Sequence, residues 1–231
     1  MDWSNRRAKF RAVLEGDRCV HPGSVYDPIS ARIAEDLGFE IGMFAGSVAS
    51  MAVLGAPDLI VLTLSEFSGL AYRINRAGQL PLMVDADHGY GNALNVKRTV
   101  EELETAGVGG LSIEDTELPR PYGPSGKATL LSIDEGVGKM KGALAGRQDR
   151  SLVIAGRSSA ISITGLDDTI ARAVAYQEAG VDAIFLVGVK TRAELEPISQ
   201  AVKVPMILGG VGPELADLDY LSAKGVRICL Q

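Results

Sequence analysis

The sequence has few of the residues on which several classes of protein depend. Two cysteines, Cys19 and Cys229, stand near opposite ends of its 231 residues, so neither a disulfide framework nor a cysteine-based metal site is indicated. Aromatic residues make up 5% of the chain, and the core is therefore expected to consist mainly of Val, Ile, Leu and Ala. No apolar run is long enough to span a membrane, and the first residues lack the apolar segment of a secretion signal.

Clustered positive charge is also missing. The net charge is −6, and no basic block is present, which argues against binding to nucleic acid or to an anionic membrane. A small anionic substrate would need local positive charge, because the overall field opposes its approach. These features predict a soluble, cytoplasmic protein that binds neither nucleic acid nor a membrane.

Strands and helices alternate along the chain. Short apolar runs bounded by turn residues predict strands at about 19–22, 40–44, 80–84, 109–113, 152–155, 183–186, 204–208 and 226–230. Helical patterns predict helices at about 4–15, 28–37, 65–77, 93–105, 132–145, 166–178, 191–201 and 213–223. The alternation is typical of α/β proteins, and eight strands in this length predict a (β/α)8 TIM barrel, with residues 1–231 as a single domain. An open doubly wound sheet is the alternative, but its Gly-x-Gly-x-x-Gly fingerprint is absent after strand one.

The chain ends at Gln231, directly after predicted strand eight. A complete barrel has a helix after that strand, so the C-terminal helix is expected to be absent here and an apolar flank near Cys229 and Leu230 to be exposed. We expect a dimer or tetramer in which a neighbour covers this flank, or aggregation without one. The alternative is that the opening helix, 4–15, closes the gap.

Acidic residues follow two neighbouring strands at their carboxyl ends. Asp85 and Asp87 come after a buried apolar run and are two residues apart, so they point to the same side. Glu114 and Asp115 end the next strand, and Arg157 follows the one after it. Barrel active sites are built where the strands end, so these side chains are expected to lie together. Carboxylates suit Mg²⁺, and an arginine can bind a carboxylate, which predicts Mg²⁺ bound to a carboxylate-bearing substrate.

Each of these residues also has a structural interpretation. Asp87 could cap the following helix, and Arg157 could form a structural ion pair with Glu114. His21 is expected to be a packing residue and His88 to orient the turn that carries the aspartates. The segment 116–127, rich in proline and glycine, predicts a mobile active-site loop.

Four segments resemble the isocitrate lyase/phosphoenolpyruvate mutase superfamily, with the oxaloacetate decarboxylase branch as the closest match. They are 46–50 (Gly-Ser-Val-Ala-Ser), 85–92 (Asp-Ala-Asp-His-Gly-Tyr-Gly-Asn), 113–115 (Ile-Glu-Asp) and the strand end at Arg157. The resemblance extends from about residue 9 to the end of the chain. It implies a homotetramer of β/α barrels in which helix eight is swapped between subunits.

The resemblance also implies the cofactor and the site. Mg²⁺, with Mn²⁺ as the alternative ion, would be held directly by Asp85, with Asp87 and Glu114 acting largely through bound water. Ser47 and Arg157 match substrate-contacting positions, and Gly46, beside Ser47, is a further candidate for substrate binding.

The implied reaction is the Mg²⁺-dependent decarboxylation of oxaloacetate, or a similar small anionic 2-oxo acid, to pyruvate and CO₂. It would proceed through an enolate stabilised by the metal, with Asp85 and Arg157 as the catalytic residues.

The sequence departs from the other branches of this superfamily. The segment 116–127 lacks the catalytic cysteine of the lyase branch and the Lys-x-x-x-Lys-x-Asn pattern of the mutase branch. Asp58 could match a mutase aspartate. A phosphoenolpyruvate mutase-like or phosphonopyruvate hydrolase-like enzyme is therefore one alternative. A non-catalytic oxo-acid-binding member is the other, because the chain ends before a histidine of the decarboxylase branch and has Ser158-Ser159 after Arg157 in place of the usual pair.

Overall fold

The computed structural model describes residues 2–120 and 127–230. In this part of the chain, eight parallel strands pair in sequence order in one sheet. They are β1 (Gly23–Ser24), β2 (Gly42–Phe44), β3 (Leu82–Asp85), β4 (Gly110–Glu114), β5 (Val153–Ser158), β6 (Ala183–Val187), β7 (Met206–Gly209) and β8 (Val226–Cys229). A parallel bridge between Val20 and Ile228 joins β8 to the residues before β1. The predicted (β/α)8 barrel is confirmed.

Helices precede and connect the strands. They are α1 (Ser4–Glu15), α2 (Pro28–Asp36), α3 (Gly46–Leu54), α4 (Leu64–Ala77), α5 (Ala93–Thr105), α6 (Ile133–Gly146), α7 (Ala160–Ile163), α8 (Leu166–Ala179), α9 (Arg192–Ala201) and α10 (Leu218–Ala223). The predicted helix over 213–223 is divided into a 3₁₀ turn, Pro213–Leu215, and α10. The sequence does not predict α3, because its apolar residues, which include exposed Met51 and Leu54, are not confined to one face.

Side-chain caps explain where several helices begin. At α2, Asp27 Oδ1 accepts a hydrogen bond from Ser30 N at 2.7 Å, and Ser30 Oγ accepts one from Asp27 N at 3.0 Å. Thr63 and Glu66 form the same capping box at α4. The sequence predicts that α4 begins at Ser65, which is instead the second residue of that helix.

The predicted position of the first strand is wrong. The sequence predicts 19–22, whereas β1 is Gly23–Ser24. Pro22 has no N–H to donate to a neighbouring strand, so regular pairing begins after it. Val20 still bonds to β8: its N–H donates to Arg227 O at 2.9 Å, and its carbonyl accepts from Cys229 N at 3.0 Å.

Apolar side chains form two layers, one inside the barrel and one between strands and helices. The inner layer includes Met43, Met83, Val153, Ala155, Phe185, Ile207 and Ile228. Helix α1 lies across the amino-terminal end of the barrel and adds Phe10 and Leu14 to this layer. A Cβ atom at Gly110 would lie 2.6 Å from Phe10 Cε1, so glycine is needed for the helix to approach β4. The opposite, carboxyl-terminal end is left for polar side chains.

The connection after β4 is partly described. The predicted mobile loop, 116–127, includes residues 121–126, which lie outside the described residues. On either side of them, Thr116 and Leu130 form an antiparallel bridge. Among the described helices, none combines the length and apolar character needed to cross a membrane.

Candidate active site at the carboxyl end of the barrel

Strand alternation brings three of the predicted residues into the barrel interior. On β3 and β5, the apolar residues two positions before Asp85 and Arg157 are Met83 and Ala155, which belong to the inner layer. Because side chains two residues apart share a face, Asp85 and Arg157 also point inward. Glu114 stands directly beside Arg157 in the register of β4 and β5. Strand β5 is longer than predicted, so Arg157 belongs to the strand rather than to the turn after it.

These side chains line a cavity of about 810 Å³ at the carboxyl ends of the strands. The cavity is lined by Ser47, Asp58, Leu59, Ile60, Asp85, Asp87, Glu114, Thr116, Leu118, Pro119, Arg120, Ala128, Arg157, Ser159, Ser162, Ile163 and Val187. The structure therefore brings together Ser47, the three predicted metal-binding carboxylates and Arg157. Gly46 adjoins the cavity through its contact with Asp87.

Asp85 has hydrogen-bond partners on both of its oxygens. Oδ1 accepts hydrogen bonds from Asp87 N at 3.2 Å and from Ser112 Oγ at 3.3 Å, and Oδ2 accepts one from Arg157 Nη1. The carboxylate is buried, with 12% of the side chain exposed. Its oxygens are thus fixed in direction at the edge of the cavity, and the Arg157 guanidinium lies beside Oδ2.

Arg157 links two carboxylates. Its Nη1 donates to Asp85, and its Nη2 lies 3.8 Å from Glu114 Oε2. Burial alone would lower the pKa of Arg157, but the charges of Asp85 and Glu114 raise it above its ordinary value. The guanidinium also lies over the ring of Phe185, 5.5 Å from its centroid. Arg157 is therefore a permanent positive charge in the site.

Glu114 is almost completely buried, with 7% of its side chain exposed. Thr116 Oγ1 donates a hydrogen bond of 2.6 Å to its Oε2. Burial raises the pKa of Glu114, although Arg157 opposes that shift. A second positive charge would therefore favour the ionised form of this carboxyl.

Asp87 lies in the turn after β3, with a left-handed backbone at φ 47°. Burial, followed by the charge of Asp85, raises the pKa of Asp87 to about 8. A Cβ atom at Gly46 would lie 2.6 and 2.8 Å from its two carboxylate oxygens. The start of α3 can approach Asp87 this closely only because residue 46 has no side chain.

Asp115 does not join the group, although it follows Glu114 directly. Adjacent strand residues point to opposite faces, and Asp115 points outward, where its Oδ2 accepts hydrogen bonds from Arg172 Nη1 at 3.1 Å and Tyr176 Oη at 2.7 Å. His21 Nδ1 lies 2.7 Å from Cys229 O, and neither His21 nor His88 is among the described residues that line the cavity.

Sequence reasoning missed Ser112 and Thr116. Both bond directly to predicted site carboxylates, Ser112 to Asp85 and Thr116 to Glu114. A usable signal was present, because Ser112, Glu114 and Thr116 are spaced by two residues and so share one face of an extended chain.

The site is suited to a hard cation with incomplete protein coordination. Among residues 2–120 and 127–230, no group of three or more His, Cys, Asp or Glu side chains is close enough to hold a metal ion. Mg²⁺ commonly takes one or two carboxylates and fills its other positions with water and substrate, which this donor set permits. The raised pKa of Asp87 fits as well, since burial and then the neighbouring carboxylates disfavour its charged form, which a cation would stabilise.

Comparisons with known proteins agree with this arrangement. The family model described as "Phosphoenolpyruvate phosphomutase" matches residues 10–230. An oxaloacetate decarboxylase of Bradyrhizobium diazoefficiens is 59% identical over 231 residues, which are 100% of this chain and 80% of that protein.

Solved structures show the same likeness. The structure of oxaloacetate acetylhydrolase in complex with the inhibitor 3,3-difluorooxalacetate matches 98% of this chain and 80% of its own, with a TM-score of 0.88 and 30% identity. Phosphonopyruvate hydrolase in complex with oxalate and Mg²⁺ matches 97% of this chain and 79% of its own, with a TM-score of 0.86 and 30% identity. The barrel, the acidic turn after β3 and these matches together show that the chain belongs to the phosphoenolpyruvate phosphomutase family.

Proposed function

We propose that this protein is an oxaloacetate decarboxylase, which releases CO₂ from oxaloacetate and forms pyruvate with the help of a divalent cation. The observation that carries the proposal is the group formed by Asp85, Asp87, Glu114 and Arg157 on the wall of the cavity. It combines a place for a cation with an arginine for a carboxylate, which suits a small dianionic oxo acid. The identity to the Bradyrhizobium diazoefficiens decarboxylase over the whole chain supports this choice of substrate.

Asp85 would hold the cation, Mg²⁺ or alternatively Mn²⁺, with Asp87 and Glu114 contributing largely through water. The cation would supply positive charge beside the 2-oxo oxygen, where negative charge develops as the bond to CO₂ breaks. The protein fixes this position in advance, because Asp85 Oδ1 is oriented by Ser112 and by the backbone of Asp87.

Arg157 and the start of α3 would bind and orient the substrate. Arg157 is largely enclosed, with 17% of its side chain exposed, is permanently charged and can donate to a substrate carboxylate from the cavity wall. Ala45, at the cap of α3, provides no side-chain hydrogen bond, so Ser47 and the first backbone N–H groups of this helix can donate to an anion. Together they would align the bond to CO₂ with the charge that stabilises the enolate.

This reaction needs no covalent nucleophile from the protein. Both cysteines of the sequence, Cys19 and Cys229, are buried, and neither lines the cavity. Decarboxylation moves the electrons of the broken bond to the 2-oxo oxygen, and protonation at C-3 then gives pyruvate.

The test is release of CO₂ and pyruvate from oxaloacetate with Mg²⁺ and with a chelator. The comparison is between the unaltered protein and Asp85→Ala, both corrected for decarboxylation by free metal. We expect metal-dependent turnover that Asp85→Ala abolishes. Equal corrected rates would exclude the proposal. Tight binding of oxalate without turnover would instead identify a non-catalytic oxo-acid-binding protein.

A second candidate is phosphonopyruvate chemistry, as in a mutase or hydrolase of this family. Asp58 lines the same cavity, and its charge contributes to the raised pKa of Asp87, after burial and Asp85. Turnover of phosphonopyruvate that is faster than that of oxaloacetate, and that is lost in Asp58→Asn, would favour this alternative.

We also propose that the protein forms a homo-oligomer. Three apolar side chains of α2 and its C-terminus, Ile29, Ile33 and Leu37, are 65%, 54% and 71% exposed and are spaced by four residues, so they form one stripe. An exposed apolar stripe of this kind promotes association. Light scattering should show a dimer or tetramer, and a monomer at all concentrations would contradict this.

A further inference from the structure

The turn after β3 adopts an unfavourable backbone conformation. Asp87 and Tyr90 have φ values of 47° and 62°, and Gly89 and Gly91 have 77° and 146°. For a residue other than glycine, a left-handed conformation is unfavourable because the side chain crowds the backbone. Such a turn persists only where surrounding contacts hold it, and the direction of the Asp87 side chain depends on it.

Three successive carbonyl groups of this turn are bonded to three different elements. Asp87 O accepts a hydrogen bond from Glu114 N of β4 at 2.8 Å. His88 O accepts one from Lys139 Nζ of α6 at 2.8 Å, and Gly89 O accepts one from Thr99 Oγ1 of α5 at 3.0 Å. The bond from β4 is part of the barrel, whereas the other two depend on side chains.

Lys139 is an unusual side chain for its position. It is 3% exposed and lies on the buried face of α6 with Gly136, Met140 and Ala143. Burial of an ammonium group is costly unless a specific contact offsets it. In the described part of the chain, no carboxylate lies within ion-pair distance of Lys139. Its direct polar contact is the bond to His88 O, and the charges of Glu135, Glu114 and Asp115 act on it from farther away.

The structure assigns Lys139 and Thr99 as positioning residues that hold the turn from His88 to Gly89. They thereby orient Asp87, whose backbone N–H donates to Asp85 Oδ1, toward the cation. This assignment rests on the proposed function, in which that cation is bound. Neither side chain lines the cavity, so both act through the turn rather than on the substrate. Because Thr99 is 0% exposed and uncharged, it tests the same effect without a change of charge.

A positioning role and a purely electrostatic role predict opposite signs. Removal of the Lys139 ammonium takes a positive charge away from the vicinity of Glu114 and Asp115, which by Coulomb's law alone would tighten cation binding. Loss of the hydrogen bond to His88 O would instead loosen the turn and weaken cation binding. Groups that orient metal ligands typically change affinity by about 10- to 100-fold when they are removed.

The experiment measures Mg²⁺ binding by titration calorimetry on the full chain without substrate, together with the metal dependence of kcat and KM. Lys139→Met and Thr99→Val are compared with Lys141→Met, which removes an exposed lysine of the same helix. We expect the Mg²⁺ dissociation constant to rise by about tenfold or more in Lys139→Met and by a smaller factor in Thr99→Val. At saturating Mg²⁺, kcat should return to within about twofold of the unaltered protein. Lys139→Arg, which keeps a donor, should recover part of the affinity.

Unchanged or tighter Mg²⁺ binding in a folded Lys139→Met protein would overturn the assignment. If that variant fails to fold, Thr99→Val decides alone, and unaltered affinity there would overturn it. Asp85→Asn separates this failure from failure of the proposed function. If Asp85→Asn leaves Mg²⁺ binding intact, the proposed metal site is wrong. If Asp85→Asn abolishes Mg²⁺ binding while Lys139→Met and Thr99→Val bind Mg²⁺ normally, only the positioning role is refuted.

Discussion

Positive and negative side chains are balanced differently at the two ends of the barrel. At the amino-terminal end, Arg7 donates to Asp149 Oδ2 at 2.6 Å, to Glu104 O at 2.5 Å and to Val108 O at 3.1 Å. At the carboxyl-terminal end, Asp85, Asp87 and Glu114 lie around one cavity, and Arg157 contacts the first and last of them. At the amino-terminal end, Arg7 has a hydrogen-bond acceptor for each of its donating groups. At the carboxyl-terminal end, three carboxylates share one arginine, so negative charge is in excess.

The pKa values of two aspartates express this difference. Burial would raise the pKa of Asp149, but hydrogen bonds from Ser151 and Arg7 outweigh it and lower the pKa to about 2. Burial and the neighbouring carboxylates raise the pKa of Asp87 to about 8. The comparison indicates that the amino-terminal end contributes stability, whereas the carboxyl-terminal end is arranged for binding at some cost in stability.

The largest expected effect is on catalysis, from Arg157→Met. This change leaves Asp85 and Glu114 buried without their shared cation and removes the proposed substrate contact. We expect kcat/KM for oxaloacetate at saturating Mg²⁺ to fall about 100-fold or more, equivalent to about 3 kcal/mol. A fall of less than threefold, measured by pyruvate release, would mean that Arg157 is only a structural ion-pair partner.

Arg7→Met makes the matched change at the other end. It removes three hydrogen bonds and leaves Asp149 without its cation, so the free energy of unfolding should fall by about 2 kcal/mol. Activity of the folded protein should not change. Denaturant titration and kcat/KM measured on the same sample check both parts, and a variant with normal stability and low activity would reverse the assignment of the two ends.

Gly46→Ala tests the carboxyl-terminal end alone by adding one methyl group beside Asp87. The new Cβ would meet the Asp87 carboxylate at 2.6 and 2.8 Å, so one of the two must move. We expect Mg²⁺ affinity and kcat/KM to fall about tenfold, with little change in thermal stability. Gly69→Ala in α4 is the control, because a Cβ there meets nothing within 4 Å. Equal activity of the two variants would show that the start of α3 is not coupled to Asp87.

The smallest expected effect is the pH dependence of stability in Asp87→Asn. Because the pKa of Asp87 is about 8 in the folded protein and near 3.8 when unfolded, the folded state binds more protons between these values. Stability contributed by this group is therefore present below about pH 4 and lost as the pH rises toward 8. Asparagine removes the titration and tolerates the left-handed backbone, so the variant should be more stable than the parent at pH 8.

Asp149→Asn is the control with the opposite sign. Since the pKa of Asp149 is lowered to about 2, its contribution is present above about pH 4 and lost as the pH falls toward 2. This variant should be less stable than the parent at neutral pH and equal to it near pH 2. Urea titrations of both variants without added metal provide the measurement. If the stability difference from the parent changed with pH in the same direction for both variants, the proposed difference between the ends would be contradicted.

Local patterns predicted most of the architecture, and the errors fall at three places along the chain. Helix α5 begins after Asn92 as predicted, because its cap lies within the same few residues. Helix α3 was missed, since its residues give no amphipathic stripe. The first strand begins after Pro22, and α4 begins one residue earlier than predicted because Glu66 pairs with Thr63 as its cap. Both signals, Pro22 and the spacing of Thr63 and Glu66, are visible in the sequence.

The sequence by itself determined the order of elements, the placement of Asp85, Asp87, Glu114 and Arg157 at strand ends, and the lack of a cysteine in the segment 116–127. These follow from periodicities of two and 3.6 residues and from composition, which are local properties. Tertiary structure alone decided that Arg157 bonds to Asp85 and that Asp115 turns away to Arg172. It also decided that Lys139, 51 residues from His88, bonds to the turn after β3. Such contacts form because closure of the barrel and packing of the helices bring distant segments together. Residue spacing along the chain does not specify how far apart those segments lie in space.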